Sequence, residues 1–369
     1  MYTAVVPLYL DSQSKKSFKL QVFQMSSLEH IKYYFYKVYG LTLRSNQSLM
    51  NVLEISPSVD VWDVSIHLSR TLEESSMPIS RSAWQISPKH PGVTMATHEK
   101  GIYLLLQYIL NEFAYAEFVI NPSGDQIWIA VGKEANLRGV VSLLFGVVLG
   151  CVLRIRSVTC LHASVVIIKN MAIALLGAEG AGKSTTTAAL LQCGGQLFAE
   201  DVAALVEQKQ QFLVQPGYQA IRLNEDAATQ LYGSSECLQL ITSNPDIWPT
   251  KKELCLLKNE KLVPESPVPL AAIYILEERC ANRTTVEIQA TPPITGLFNL
   301  VRNTYASWML EEENKRIEFE LLGRLAAKVP LKKVYRPDNL SMLPQISQAI
   351  IEDAKGTIFL LENEPTKFS

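Results

Sequence analysis

The chain has 369 residues, of which 48% are hydrophobic and 19% are charged, an ordinary balance for a globular protein. A chain of this length suggests about two domains. The net charge of -2 argues against a protein that binds nucleic acid through an overall positive charge. Any anionic ligand must therefore be held by local positive groups.

The N-terminal region, residues 1–135, is predicted to be a smaller α+β region that precedes the main domain. Its first residues (MYTAVVPLYLDSQSKK) favour a strand over a targeting segment, because the apolar run comes before the basic residues. The pattern over Ser27–Tyr39 predicts an amphipathic helix, and the polar stretch Glu73–His98 predicts loops. No residue here is an obvious catalytic group, and a role in substrate binding is one interpretation of the region.

The most apolar stretch, Val140–Leu153, is shorter than the roughly 20 residues of a membrane span. It predicts a buried helix, so no membrane anchor is expected. The six cysteines include no CxxC pair, which argues against a zinc site, and a disulfide framework is not expected in a chain of this size. Buried, reduced thiols in a cytoplasmic protein are the expectation.

The central part of the chain predicts a strand–loop–helix–strand unit. Ser157–Ile168 is rich in β-branched residues, Lys169–Asn170 is a turn, and Met171–Leu176 is typical of a strand that is buried on both faces. A helix begins at Ser184, and Gln196–Ala199 is a further short strand. This order predicts an α/β domain over residues 136–369.

The loop of this unit matches the phosphate-binding pattern G-x-x-x-x-G-K-[ST] in full. Glycines let consecutive backbone N–H groups point at phosphate oxygens, and the following helix presents its positive end to the same anion. Lys183 is expected to reach the β- and γ-phosphates of ATP, and Ser184 to ligate Mg²⁺. The predicted nucleotide-binding residues are Gly177, Ala178, Glu179, Gly180, Ala181, Gly182, Lys183, Ser184 and Thr185.

An acidic pair, Glu200 and Asp201, follows the short strand Gln196–Ala199. In phosphate-loop proteins such a carboxylate lies near the loop hydroxyl and holds Mg²⁺, and this role is predicted for Asp201 beside Ser184. A second carboxylate can accept the proton of an attacking hydroxyl. The alternative for both residues is a solvated strand end.

Other classes of phosphate-loop protein fit less well. Cys193–Gln196 (CGGQ) is similar to the signature of ABC-type ATPases, but it lies too close to Lys183, and Gly194 and Gly195 are interpreted as a helix end. The sequence has no NKxD-type guanine reader of GTPases. His162 precedes the loop strand and would lie near the site if the two strands form an antiparallel hairpin.

The segment Leu161–Leu205 resembles HPr kinase/phosphorylase. The matching residues are His162, Gly177, Gly180, Gly182, Lys183, Ser184 and Asp201. Glu200 stands where that family has aspartate, and Thr185 stands where the HPr enzymes have glutamate. The resemblance continues in Pro216–Leu223 and in the predicted strand Pro267–Leu276, and it implies an HPr-kinase-like phosphate-loop domain.

The layout, including Tyr39–Asn46, is similar to HPr-kinase-like tailoring kinases of lasso-peptide biosynthesis, which phosphorylate a serine at the C-terminus of the precursor. The resemblance implies transfer of phosphate from ATP to a serine hydroxyl of a peptide or protein. Asp201 or Glu200 would accept the proton, and His162 would contact the phosphoryl group or orient an acid. Arg222, Lys251 and Lys252 are candidate substrate contacts or else exposed solubilising charges.

Two alternatives stay open at this point. One is an HPr-type kinase that acts on a carrier protein, which the different N-terminal region disfavours. The other is a nucleotide-binding ATPase or sensor module, which would not need a proton acceptor. Association of identical copies is also open.

Overall fold

The structure is a computed structural model that describes residues 32–49, 52, 54–55, 61–69, 85–90, 93–98, 101–111, 114–132, 135–236, 238–240, 252–255 and 264–363. The expected strand at the N-terminus lies outside these ranges. The described residues form a mixed α/β protein with two large sheets.

In the described part of the chain, the first large sheet has nine strands in the order β3-β1-β2-β4-β9-β8-β7-β6-β5. The strands are β1 (Tyr34–Val38), β2 (Leu41–Ser45), β3 (Glu54–Ile55), β4 (Val64–Ser69), β5 (Gln85–His90), β6 (Val93–His98), β7 (Gly101–Asn111), β8 (Ala114–Ile120) and β9 (Gln126–Val131).

The helix predicted over Ser27–Tyr39 is wrong where the structure describes it, because β1 occupies Tyr34–Val38. Tyr36 and Val38 are buried while Lys37 between them is exposed, and this alternation is the period of a strand. The chain then reverses at Tyr39 and Gly40, whose φ angles are 54° and 77°. Residues 27–31 lie outside the described ranges.

The loops predicted over Glu73–His98 are also wrong in their described part, because residues 85–90 and 93–98 are the paired strands β5 and β6. β5 is at the edge of the sheet and contains Pro88. An edge strand tolerates proline and needs no continuous apolar pattern, so the composition resembles that of a loop. Residues 70–84 are not described.

The buried helix predicted over Val140–Leu153 is confirmed, and it extends over Leu137–Ile155. It consists of α1 (Leu137–Leu143), a π-helical turn (Leu144–Val148) and α2 (Leu149–Ile155). The described residues include one helix long and apolar enough to cross a membrane, and it is this one, yet 83% of its most apolar window is buried in the protein. Its side chains pack with those of the first sheet in one core. The domain boundary at residue 135 stays a prediction.

The second large sheet has the order β10-β14-β15-β19-β12-β11-β13, with β21 beside β19 and β20 beside β21. Its strands are β10 (Cys160–Leu161), β11 (Ser164–Ile168), β12 (Met171–Leu176), β13 (Gln196–Ala199), β14 (Ala203–Gln208), β15 (Gln211–Val214), β19 (Val268–Leu276), β20 (Glu287–Ala290) and β21 (Leu331–Tyr335). A small sheet contains β16 (Ala220–Leu223), β17 (Gln239–Leu240) and β18 (Lys252–Cys255).

Helices cover both faces of the second sheet. They are α3 (Lys183–Gln192), α5 (Pro293–Arg302), α6 (Glu312–Lys328) and α7 (Leu343–Asn363), whereas α4 (Glu225–Tyr232) packs with α3 and the small sheet. α5 and α6 pack on one face through residues such as Leu300 and Leu322. α3 and α7 pack on the other face, where Leu190 and Ile350 are buried.

The predicted strand–loop–helix–strand unit is present, with two details that the pattern did not show. β11 and β12 form an antiparallel hairpin, and its turn residues Lys169 and Asn170 both have positive φ. The single strand predicted over Ser157–Ile168 is broken, because β10 pairs with β14 while β11 pairs with β12. His162 lies at the break. The predicted strand Pro267–Leu276 corresponds to β19.

The predicted burial of the cysteines holds for Cys151 and Cys160, whereas Cys193 and Cys280 are exposed. These four are free thiols. Cys237 lies outside the described residues, and only the backbone of Cys255 is described.

Candidate functional site

The site is built on the glycine loop, Gly177–Gly182, which connects the buried strand β12 to α3. Gly177, Gly180 and Gly182 have φ angles of 154°, 76° and 87°. Side chains with a Cβ rarely adopt these values, so glycine is needed at all three positions. Of the other loop residues, Ala178 and Glu179 are exposed and Ala181 is half-buried.

Lys183 is the first residue of α3, and its side chain folds back over the glycine loop. Its Nζ donates hydrogen bonds to the carbonyl oxygens of Gly177 at 2.8 Å and Ala178 at 3.3 Å, and only 8% of the residue is exposed. The ammonium group is therefore held beside the N-terminus of a helix. A positive group in this position favours an anion.

Ser184 contacts the first acid of the pair. Its Oγ donates a hydrogen bond of 2.5 Å to Oε1 of Glu200, which follows directly after β13. Glu200 is 4% exposed, and its Oε2 is buried with no hydrogen-bond partner among the described residues. Burial raises the pKa of Glu200, and the hydrogen bond from Ser184 only partly opposes this effect.

Asp201 lies in a different environment from Glu200, although the two are adjacent in sequence. Its Oδ1 is 3.0 Å from Nε2 of His162, and its Oδ2 accepts a hydrogen bond of 2.9 Å from Arg222. Burial by itself would raise the pKa of Asp201, but Arg222 and His162 hold it well below its ordinary value. The φ of Asp201 is 69°, a conformation that is uncommon for residues other than glycine. Residues held in such conformations cluster at functional sites.

Residues 303–305, which follow α5, support both the histidine and the glycine loop. The backbone carbonyl of Asn303 accepts a hydrogen bond of 2.7 Å from the N–H of His162, and its side chain accepts one of 3.3 Å from the N–H of Gly177. The ring of Tyr305 meets that of His162 edge-on, with the centroids 5.9 Å apart. Sequence reasoning missed these residues, because no local pattern marks them.

The π-helical turn brings Gly146 next to the ion pair of Asp201 and Arg222. An ideal Cβ on Gly146 would lie 3.5 Å from Oδ2 of Asp201 and 4.0 Å from Arg222. The backbone of this turn therefore packs close to the ion pair, and a Cβ at Gly146 would make ordinary van der Waals contacts with it. π-Helical turns inside α-helices frequently occur at functional sites.

Tyr39, in the turn between β1 and β2, is linked to the acidic pair through Phe145 and Tyr218. The hydroxyl of Tyr39 donates to the carbonyl of Phe145 at 2.9 Å, and the ring of Phe145 stacks on Tyr218 at 5.2 Å. The carbonyl of Tyr218 in turn accepts a hydrogen bond from the N–H of Glu200 at 3.1 Å. A continuous set of contacts thus connects the N-terminal sheet to the acids.

Arg336, just after β21, is another residue that sequence reasoning missed. Its guanidinium donates to the carbonyl of Ala181 in the glycine loop and to that of Glu277 at 3.5 Å. Burial lowers its pKa to about 10, and the nearby Arg279 adds to this effect.

The structure thus places together His162, Lys183, Ser184, Glu200, Asp201 and Arg222. Thr185 lies on α3 and is half-buried. Lys251 lies outside the described residues, and only the backbone of Lys252 is described, where it pairs with Leu223. Within the described residues, no group of three or more His, Cys, Asp or Glu side chains is arranged to hold a metal by itself.

Chemically, the arrangement offers three things close together. The glycine loop and Lys183 can bind an anion, the hydroxyl of Ser184 and the carboxylate of Glu200 offer oxygen ligands to a hard cation, and Asp201 with His162 can take up a proton.

No family model and no curated protein matches the sequence. Among solved structures, the chain is similar to the HPr(Ser) kinase/phosphatase from Coxiella burnetii, with 13% sequence identity and a TM-score of 0.28. The similarity covers 54% of this chain and 98% of that one. At this level it assigns no function, and the proposal below rests on contacts within this chain.

Proposed function

We propose that the protein is an ATP-dependent kinase that transfers the γ-phosphoryl group to a serine hydroxyl of a peptide or protein. The observation that carries the proposal is the division of the acidic pair. Glu200 contacts the hydroxyl of Ser184 at the end of the glycine loop, while Asp201 contacts His162 and Arg222. One acid is thus available to the metal and the other to the acceptor hydroxyl.

The nucleotide polyphosphate would bind to the N–H groups of the glycine loop. The ammonium group of Lys183 lies beside the carbonyl groups of Gly177 and Ala178, so it is close to where oxygens of the β- and γ-phosphates would bind.

Ser184 and Glu200 would hold Mg²⁺. The residues fit such an ion, because a buried carboxylate oxygen of Glu200 has no partner among the described residues and the hydroxyl of Ser184 lies against the other oxygen. When bound, Mg²⁺ neutralises charge on the β- and γ-phosphates. This assignment replaces Asp201 by Glu200 as the acid beside Ser184.

Asp201 would orient the acceptor hydroxyl and take its proton, together with His162. Phosphoryl transfer passes through a loose transition state, so the proton leaves late and a strong base is not required. Arg222 keeps Asp201 ionised. The ionised carboxylate can accept a hydrogen bond from the hydroxyl that receives the phosphoryl group.

The finer proposal for the acceptor is the serine at the C-terminus of a lasso-peptide precursor, and it rests on the resemblance in the sequence. The second candidate is an HPr-type kinase that acts on a carrier protein. An ATPase or sensor module is the third, and the contact between His162 and Asp201 disfavours it, because a nucleotide binder has no need of an oriented proton acceptor.

Mass measurement after incubation with ATP and Mg²⁺ tests these candidates. A peptide that ends in serine and a carrier protein are offered in separate reactions, with Asp201→Asn as the matched control. One added phosphate on the peptide is the expected result. Phosphate on the carrier protein alone supports the hypothesis of an HPr-type kinase. Release of ADP with both acceptors unchanged refutes the kinase proposal.

A further inference from the structure

Arg336 is a buried cation at the glycine loop. Only 3% of the residue is exposed, and its guanidinium donates to the carbonyl of Ala181 in the loop and to the carbonyl of Glu277 at 3.5 Å. Its NH1 lies 3.6 Å from the position of an ideal Cβ on Gly182. The group is thus packed directly against the loop that leads into Lys183.

Among the described residues Arg336 forms no ion pair, and the nearby carboxylate of Asp338 offsets only part of its charge. The carboxylate of Asp338 forms its ion pair with the exposed Arg279, at 3.2 Å, and the Nε of Arg336 is buried with no hydrogen-bond partner in the described part of the chain. A buried charge is costly unless it is paired, and neutral carbonyl groups compensate only part of that cost. The position therefore suggests an anionic partner that comes from outside the chain.

The place of Arg336 in the fold identifies the anion. Strands β12, β19 and β21 are parallel neighbours, and the glycine loop, Glu277 and Arg336 follow their carboxyl ends. In sheets of this kind, ligands bind in the crevice beyond the carboxyl ends of the strands. The anion that fits a glycine loop in this crevice is a polyphosphate.

We propose that Arg336 is a positioning residue for the polyphosphate of the nucleotide, an inference that rests on the proposed nucleotide-dependent function. The guanidinium holds the carbonyl of Ala181 so that the following N–H groups face the phosphates, and its positive charge is compensated when the polyphosphate binds. Arg336 thus makes the empty site less stable and the occupied site more stable.

The proposal predicts that Arg336→Met changes stability and nucleotide affinity in different directions. In Arg336→Met the buried charge is lost, so the thermal midpoint without nucleotide stays the same or rises. Nucleotide affinity falls by about tenfold or more, the size of effect expected when one charge-assisted contact is lost. A residue with only a structural role would lower the thermal midpoint and leave the affinity per folded molecule unchanged.

The test uses the full chain and a non-hydrolysable ATP analogue, AMP-PNP, with Mg²⁺. Calorimetric titration and thermal unfolding are carried out on wild type, Arg336→Met, Arg336→Lys and the exposed control Arg316→Met. Inorganic tripolyphosphate serves as a second probe, and its affinity should fall in the Met variant as much as that of AMP-PNP. Arg336→Lys should recover part of the affinity, because it keeps the charge but loses the planar fork.

The outcomes separate the two proposals. Wild type that binds neither probe overturns the proposed function, and this inference with it. Wild type that binds while Arg336→Met binds equally tightly overturns the inference alone. An Arg336→Met chain that is markedly less stable or does not fold also overturns it, because the expected effect on the empty protein is neutral or stabilising.

Discussion

Replacing Glu200 by glutamine should make the protein more stable and less active at the same time. The side chain keeps its length, so one oxygen can still accept the 2.5 Å hydrogen bond from Ser184. What changes is the buried second oxygen, which has no hydrogen-bond partner among the described residues. Glu200→Gln replaces this charged oxygen by a neutral amide group.

The magnitude follows from the cost of a buried polar group without a partner, which is about 1–3 kcal/mol and more for a charged group. We therefore expect the free energy of unfolding to rise by about 1–3 kcal/mol at neutral pH. Burial raises the pKa of Glu200, so the folded state favours its protonated form. Stability from this group is present at low pH and is lost as the pH rises through the raised pKa. The gain in Glu200→Gln should therefore be largest at neutral pH and shrink towards acid pH.

Denaturant unfolding of wild type and Glu200→Gln at several pH values, without nucleotide or Mg²⁺, measures this effect. The same preparations are assayed for phosphate transfer, where the variant should lose activity by about 10²-fold or more because an oriented charge is removed. A variant that is less stable than wild type at neutral pH, or equally active, would refute the reasoning. A stability gain that does not depend on pH would show that burial of the charge is not its cause.

Three further predictions concern other contacts in the protein. Lys183→Ala should lower phosphate transfer by about 10²–10³-fold while circular dichroism shows a folded chain, and a retained rate would remove the mechanism. Asp201→Asn should be less stable than wild type at neutral pH, because the ion pair between Asp201 and Arg222 is lost. Since the pKa of Asp201 is held low, the difference in stability between wild type and variant should persist to acid pH. It should vanish only at pH values below the ordinary pKa range of aspartate, and thermal unfolding at several pH values measures it. Glu318→Ala should lower the free energy of unfolding by about 3–5 kcal/mol, because Arg154 stays buried without its ion pair of 2.6 Å to Glu318. Denaturant unfolding measures this change, and a loss below about 1 kcal/mol would contradict the account.

Much of the site could be predicted from the sequence where the chemistry is local. The glycine loop, Lys183 and Ser184 are consecutive, and their pattern follows from the backbone angles that a polyphosphate loop needs. The hairpin turn at Lys169–Asn170 and the buried helix over 137–155 were also predicted correctly, because a turn and an apolar run depend on neighbouring residues. The edge strand β5 and the strand β1 were not predicted, because their patterns are typical of other elements until a sheet forms beside them.

The sequence alone determined that a glycine loop with a lysine, a hydroxyl and two nearby acids exists in this chain. Only the tertiary structure decided which acid contacts Ser184, because successive residues at the end of a strand point in different directions and the positive φ of Asp201 turns it towards His162. The same holds for Asn303, Gly146 and Arg336, which are far from the loop in sequence. Contacts between distant segments depend on how sheets and helices pack, and no local pattern records that packing.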